Sequence, residues 1–240
     1  MPQALGVAGF YAGKAGAVNW WEARRDSSRQ APDPAVTPEA VIEIYAARTF
    51  SWRGAFGVHT WIAAKAAGAS QYVRYEVIGW YSYRGLPVVS VAPGIPDAYW
   101  YGNRPSKLKS LSGAGIDAVI GKIDAAARRY PFPDTYRVWP GPNSNTFIAF
   151  IAREVPELAL DLPPLAVGKD YLTNGSVFDR VPSGSGYQFS LYGLFGVALA
   201  LEEGFELNLL GLTFGIDALR PALKLPGIGR VGWPENVGDE

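Results

Sequence analysis

Residues 136–153 read YRVWPGPNSNTFIAFIAR. A Pro/Gly turn hands over to Asn-Ser-Asn-Thr. Phe147, Ile148, Ile151 and Val155 then recur at helical spacing until Pro156 closes the run. The stretch predicts a short strand over 135–139 and a helix with Ser144 in its first turn. Small polar residues there read first as a cap, because they accept hydrogen bonds from free backbone N–H groups. A helix mouth also carries partial positive charge and favours negative charge developing nearby. Ser144 fits both descriptions.

Working back toward the N-terminus, residues 115–130 (GIDAVIGKIDAAARRY) place Ile116, Val119, Ile120 and Ile123 on one face of an amphipathic helix that ends in basic residues. Before it, 85–105 is rich in Pro, Gly and aromatics and reads as irregular chain or short strands. Three strands precede that segment. AVIEIYAARTF is apolar on both alternating faces, AFGVHTWIAAK (55–65) is rich in aromatic and β-branched residues, and QYVRYEVIGWYSY (71–83) follows the AGAS turn. Together they predict an antiparallel meander. Residues 23–40 combine charge, Ser and three Pro and read as an exposed linker.

Beyond residue 160 the texture becomes Gly-rich and apolar. VALALEEGFELNLLGL reads as a hairpin around Glu202-Glu203-Gly204, with Phe205, Leu207 and Leu209 on one face and Glu206 and Asn208 on the other. Residues 181–201 carry no charge and have the length of a bilayer span, but Pro, Ser and several Gly argue for a buried or membrane-touching segment instead. Residues 1–21 are small and apolar without a basic leading region, so they fit a remnant of a signal or anchor, or a tail that packs.

Composition narrows the chemistry. The 240 residues are 48% hydrophobic and 18% charged, enough for a sizeable core, and formal net charge is zero, which discounts nucleic acid as the main partner. There is no cysteine and a single histidine, so disulfides, thiolate catalysis and Cys- or His-rich metal sites are excluded; no metal or other cofactor is expected.

A serine hydroxyl becomes a useful nucleophile only when a base takes its proton, and a third polar group usually fixes that base's tautomer. His59 is the only imidazole. Glu76 lies on the next strand of the meander, within cross-strand reach if the register suits; a one-residue slip sends it to the other face. His59, Ser144 and Glu76 are thus the candidate catalytic residues. Each has a bland alternative: a satisfied core histidine, a helix cap and a solvent-facing carboxylate. Asn143 and Asn145 flank the serine and, with Trp80 and Trp139, are candidate substrate-binding residues; capping is the competing role for the two amides. Trp80, Tyr81, Tyr83, Tyr99, Trp100 and Tyr101 form an aromatic cluster suited to a ligand wall or to a packed sheet edge.

The order of these features resembles the circularly permuted papain-like hydrolases, the group containing lecithin retinol acyltransferase and the PPPDE peptidases. In that group a His on an early strand precedes a nucleophile commonly set in N-C-N-x-F; here YRVWPGPNSNTF carries Ser144 at the Cys position. More closely, VHTWIAAK, RYEVIGW, YRVWPGPNSNTFIAFIAR and LPPLAVGKDY resemble the bacterial family named domain of unknown function 3750, with likeness over about residues 20–232. The resemblance implies His59 as base, Ser144 as nucleophile and Glu76 as orienting group. It also implies an α+β fold, an antiparallel sheet packed with helices in permuted papain-like topology, with a β-rich C-terminal elaboration.

The expected organisation is an N-terminal segment and linker (1–40), a core (41–160) and a C-terminal elaboration (161–240). The expected function is a hydrolase or acyltransferase acting on a small-molecule, peptide or acyl substrate. The alternatives are a silent domain that binds such a ligand, and an envelope-associated scaffold touching a membrane through its C-terminal region. A periplasmic or membrane-associated location is slightly favoured over a cytoplasmic one.

Overall fold

The computed structural model describes residues 19–233, so the readings of the first 18 residues lie outside the described residues. The expected meander is β1 (Val41–Arg48), β2 (Val58–Lys65) and β3 (Val73–Val77). Adding β4 (Val89–Pro93) and β5 (Ser106–Ser112) gives a five-stranded sheet in the order β4-β3-β2-β1-β5, each neighbouring pair antiparallel. β5 was not expected, because SKLKSLS offers only two apolar residues. It is an edge strand, where lysine and serine are tolerated and discourage further pairing.

Two sequence expectations need correction. The third strand ends at Val77, not Tyr83, and a 3-10 helix occupies Gly79–Arg84. Gly79 lies so close to the Tyr136 ring that any Cβ there would collide with it. Residues 135–139 are not a strand either. The Arg137 N–H donates to Pro142 O at 2.8 Å, so the chain folds back on its own proline turn instead of joining a sheet.

α1 (Ile116–Arg129) and α2 (Ser144–Glu154) cover one face of the first sheet. Their Ile123, Phe147, Ile148 and Ile151 pack against Ile42, Ile44, Val58 and Ile62, and this layer is the main core. Burial of aliphatic side chains of this kind stabilises by about 1.5–3 kcal/mol each. The other face holds Val41, Tyr45, Ala47, Trp61, Ala63 and Tyr72. It is covered by chain that the sequence suggested was a free linker. Ser27 Oγ donates to Asp97 Oδ1 at 2.8 Å, Gln30 N to Asp97 Oδ2 at 2.5 Å and Tyr72 OH to Pro32 O at 3.0 Å. One buried carboxylate therefore straps residues 27–31 down.

Residues 178–232 form a second sheet of seven strands in sequential order: β6 (Phe178–Arg180), β7 (Gly186–Leu191), β8 (Phe195–Ala200), β9 (Gly204–Leu209), β10 (Leu212–Asp217), β11 (Ala222–Leu225) and β12 (Gly229–Gly232). The hairpin around Glu202–Gly204 is β8–β9, as expected. The uncharged 181–201 stretch makes strands, and no described helix is long and apolar enough to cross a membrane. With twelve strands and two α-helices, the described chain is mixed but largely β, which corrects the more helical α+β picture.

The second sheet has an unusual orientation. Gln188, Ser190, Glu206, Asn208, Thr213 and Lys224 face inward and are buried, whereas Phe189, Leu199, Phe205, Phe214, Ile216 and Leu223 face outward and are exposed. Its inward face is anchored by charge. Lys224 Nζ lies 2.7 Å from Asp161 and 2.8 Å from Glu206, Lys169 pairs with Glu206, and Asn208 donates to Asp170 at 2.6 Å. Arg153 of α2 reaches Gln188 at 2.9 Å. Burial alone drives the Lys169 and Lys224 ammonium groups toward the neutral form, but the surrounding carboxylates outweigh it and hold both above the ordinary lysine value.

Candidate functional site

The register of β2 and β3 pairs Ile62 with Tyr75 and Ala63 with Arg74. Continuing it sets Glu76 opposite Trp61, so His59 lies diagonally across from Glu76 on the same face. There His59 Nε2 and Glu76 Oε2 are 3.0 Å apart, and Arg74 NH2 donates to the same oxygen at 2.8 Å. The imidazole stacks on Trp100, with centroids 3.6 Å apart and planes 15° from parallel, and on Trp61 at 5.7 Å. Trp80 approaches Trp100 at 5.8 Å and Tyr101 at 5.6 Å, so these three rings of the sequence cluster pack together beside His59, whereas Tyr83 is exposed.

Charge is well defined at this centre. Burial pushes the His59 imidazole below its ordinary value, and the Glu76 hydrogen bond and charge offset only part of that. Burial pushes the Glu76 carboxyl up, but the His59 hydrogen bond and the Arg74 charge together bring it below the usual carboxylate range. A neutral imidazole donating Nε2–H to an anionic carboxylate follows. No hydrogen bond engages Nδ1 among the described residues, so the lone pair sits there.

The helix mouth is built by its asparagines. Asn143 Oδ1 accepts from the backbone N–H of Asn145 at 2.9 Å and of Thr146 at 3.1 Å, and Thr146 Oγ1 accepts from Asn143 N at 3.2 Å, which makes a capping box. Asn143 Nδ2 donates to Val138 O at 3.1 Å and Val167 O at 3.0 Å. Gly168 sits against this amide with φ +98°, where a side chain would be both strained and in collision with Asn143. Asn145 grips β2: its Oδ1 accepts from Thr60 Oγ1 at 2.9 Å, and its Nδ2 donates to Val58 O at 3.1 Å and Val167 O at 2.8 Å. Both side-chain amides are therefore engaged by hydrogen bonds within the fold.

Segments 85 residues apart thus meet, with Asn145 bonded to both chain neighbours of His59. Side chains are another matter. Thr60 faces α2, so alternation turns the His59 ring to the opposite face of the sheet, where Trp100 covers it. Ser144 is buried, and its hydroxyl makes no hydrogen bond to His59 or to any other described residue. The cap takes the N–H groups of Asn145 and Thr146 and leaves that of Ser144 unclaimed. Trp139 is half exposed, with its indole N–H donating to Leu210 O at 2.8 Å, away from the His59 cluster. Among the described residues no cluster of His, Asp and Glu could hold a metal ion.

A family model described as "Protein of unknown function (DUF3750)" matches residues 39–171, more than half of the chain. The chain belongs to the DUF3750 family. The match spans His59, Glu76 and Ser144 but ends at Tyr171, short of the residue 232 expected from sequence likeness, so the seven-stranded sheet lies outside it. No curated protein and no solved structure matches the chain.

Sequence reading found no role for Lys169 and Asp170; they anchor the second sheet. Arg74, which holds Glu76, was also missed. Its signal was a basic residue two places before Glu76 on one strand, and hence on the same face.

Proposed function

We propose that this DUF3750 protein is a hydrolase or acyltransferase of ester or amide bonds, related in topology to the permuted papain-like enzymes, with Ser144 as nucleophile and His59 as base. One observation carries the reading: the imidazole is fixed at Nε2 by an anionic carboxylate, and the mouth of α2 is bonded to both of its chain neighbours. Ser144 Oγ attacks the acyl carbon as its proton passes to His59 Nδ1, and Glu76 stabilises the imidazolium. The unclaimed Ser144 N–H and the helix terminus favour the oxyanion. The leaving group takes the proton back, and water or a second nucleophile then receives the acyl group. This chemistry requires the His59 side chain to leave its stack under Trp100 and come round to the α2 side of the sheet, so that ring and hydroxyl close to about 2.6–3.2 Å in the substrate complex.

A specific observation favours a second reading, a silent ligand-binding domain. The His59 side chain is only 5% exposed and lies under Trp100, on the sheet face away from α2. Turnover of p-nitrophenyl acyl esters and acyl thioesters separates the two. For the enzyme, Ser144→Ala and His59→Ala each lower the rate by about a hundredfold or more. Turnover unaffected by either change, or none with any acyl substrate, refutes the catalytic reading.

A further inference from the structure

We infer that the outward face of the seven-stranded sheet docks on a lipid bilayer, lying flat at the boundary between headgroups and acyl chains. This goes beyond the catalytic reading and stands independently of it. From Tyr187 on β7 to Val231 on β12, alternation puts no charged side chain on that face; Arg180 on the edge strand β6 is the exception. Four strands of six residues, each about 20 Å long, and three shorter ones, all about 4.8 Å apart, present roughly 550 Å² of projected surface, toward the upper end for a monomer's largest patch.

The chemistry of the face selects the occupant. A protein partner ordinarily contributes about one hydrogen bond per 100–200 Å² and meets a polar rim. Here the Tyr187 hydroxyl is the one neutral polar group the outward side chains offer, and hydrocarbon asks for none. The apolar surface also continues past the flat face. Tyr192 and Leu210 cap turns at one end of the sheet, and Leu201 and Leu219 lie in the turns at the other, all of them at least 65% exposed. A flat face-to-face pairing of two sheets leaves those tips in water, whereas a surface that yields around them covers them. Strands of six residues or fewer fall short of the roughly 30 Å hydrocarbon core, so the sheet lies in the interface and does not span. The inverted pattern is then consistent throughout: hydrocarbon meets Phe and Leu, and the protein supplies ion-pair partners to Glu206 and Lys224.

Flotation of the full chain with vesicles of phosphatidylcholine alone, at physiological and at molar salt, tests this. The expected result is co-flotation that salt does not strip, because no charge draws the face to lipid. Leu199→Asp combined with Phe214→Asp lowers partitioning by about tenfold or more, and Trp52→Asp, exposed elsewhere, leaves it unchanged. Should the double variant misfold, brominated lipid applied to the unaltered chain still reports. Quenching is expected, and it weakens in Trp233→Phe, which removes an exposed ring beside β12. Three results overturn the proposal: no flotation, flotation only with anionic vesicles and lost in salt, or a lipid-free dimer that the double variant dissociates.

Discussion

Replacing Glu76 with glutamine removes the one negative charge shared by His59 and Arg74 while keeping the side chain's shape. All three side chains are poorly hydrated, with His59, Glu76 and Arg74 5%, 11% and 12% exposed. Removing one member of a buried pair costs about 3–5 kcal/mol, because the other charge is left without its counter-ion. Arg74 keeps a hydrogen bond to Ile95 O at 3.2 Å and its position over the Trp61 ring, so the lower end, about 3 kcal/mol, is expected. At about 2–4 °C per kcal/mol for a chain of this size, Tm falls by roughly 6–12 °C. Urea unfolding of both proteins at neutral pH gives the free energy. His59 supplies a second readout, since the ring resonances of the only imidazole need no assignment. Its titration midpoint lies below the ordinary value and moves lower still in the variant, because the hydrogen bond and charge that raise it are gone. The sign for stability follows. An imidazole that resists protonation in the folded state leaves the unfolded chain binding more protons, so stability falls as pH drops below about 6.5. An unchanged urea midpoint, or a His59 titration that rises in the variant, refutes the assigned charge states.

Other consequences concern the second sheet and the site. Lys169→Met leaves Glu206 with Lys224 alone and takes the nearest ammonium from Asp170, and destabilisation by about 3 kcal/mol is expected from urea unfolding; a loss under about 1 kcal/mol contradicts the anchoring role. Burial raises the Glu203 carboxyl from 4.5 to about 6 against the hydroxyl and backbone donors of Ser183. Its contribution is complete below pH 4.5 and is lost as pH rises through about 6. Glu203→Gln should therefore gain about 2 kcal/mol relative to the parent between those limits and pH 8, and a difference that stays flat with pH disproves it.

The first sheet was legible because β1 and β2 are apolar on both faces, a pattern only a doubly covered strand needs. β5 was hidden because an edge strand answers to its neighbour's backbone and carries little apolar signal of its own. Proximity of His59 to Glu76 was readable as a reachable pairing, but its register was not. That register follows from the Tyr75 and Val77 side chains packing toward the helices, which places Glu76 on the other face. Asn143 was recognisable as a cap from composition. The grip of Asn145 on Val58, Thr60 and Val167 was not, because those contacts bridge 22 to 87 residues. The second sheet showed its alternation but not which side is covered. A period-two pattern marks two faces without saying which one the ion pairs of Lys169, Asp161 and Lys224 pull inward.

Reaction of the intact protein with a fluorophosphonate, followed by peptide mapping, asks most directly whether His59 serves Ser144. The expected result is a phosphonyl adduct on Ser144 that His59→Ala abolishes and that Glu76→Gln slows. An unlabelled Ser144 in the parent chain, or equal labelling without the imidazole, contradicts it.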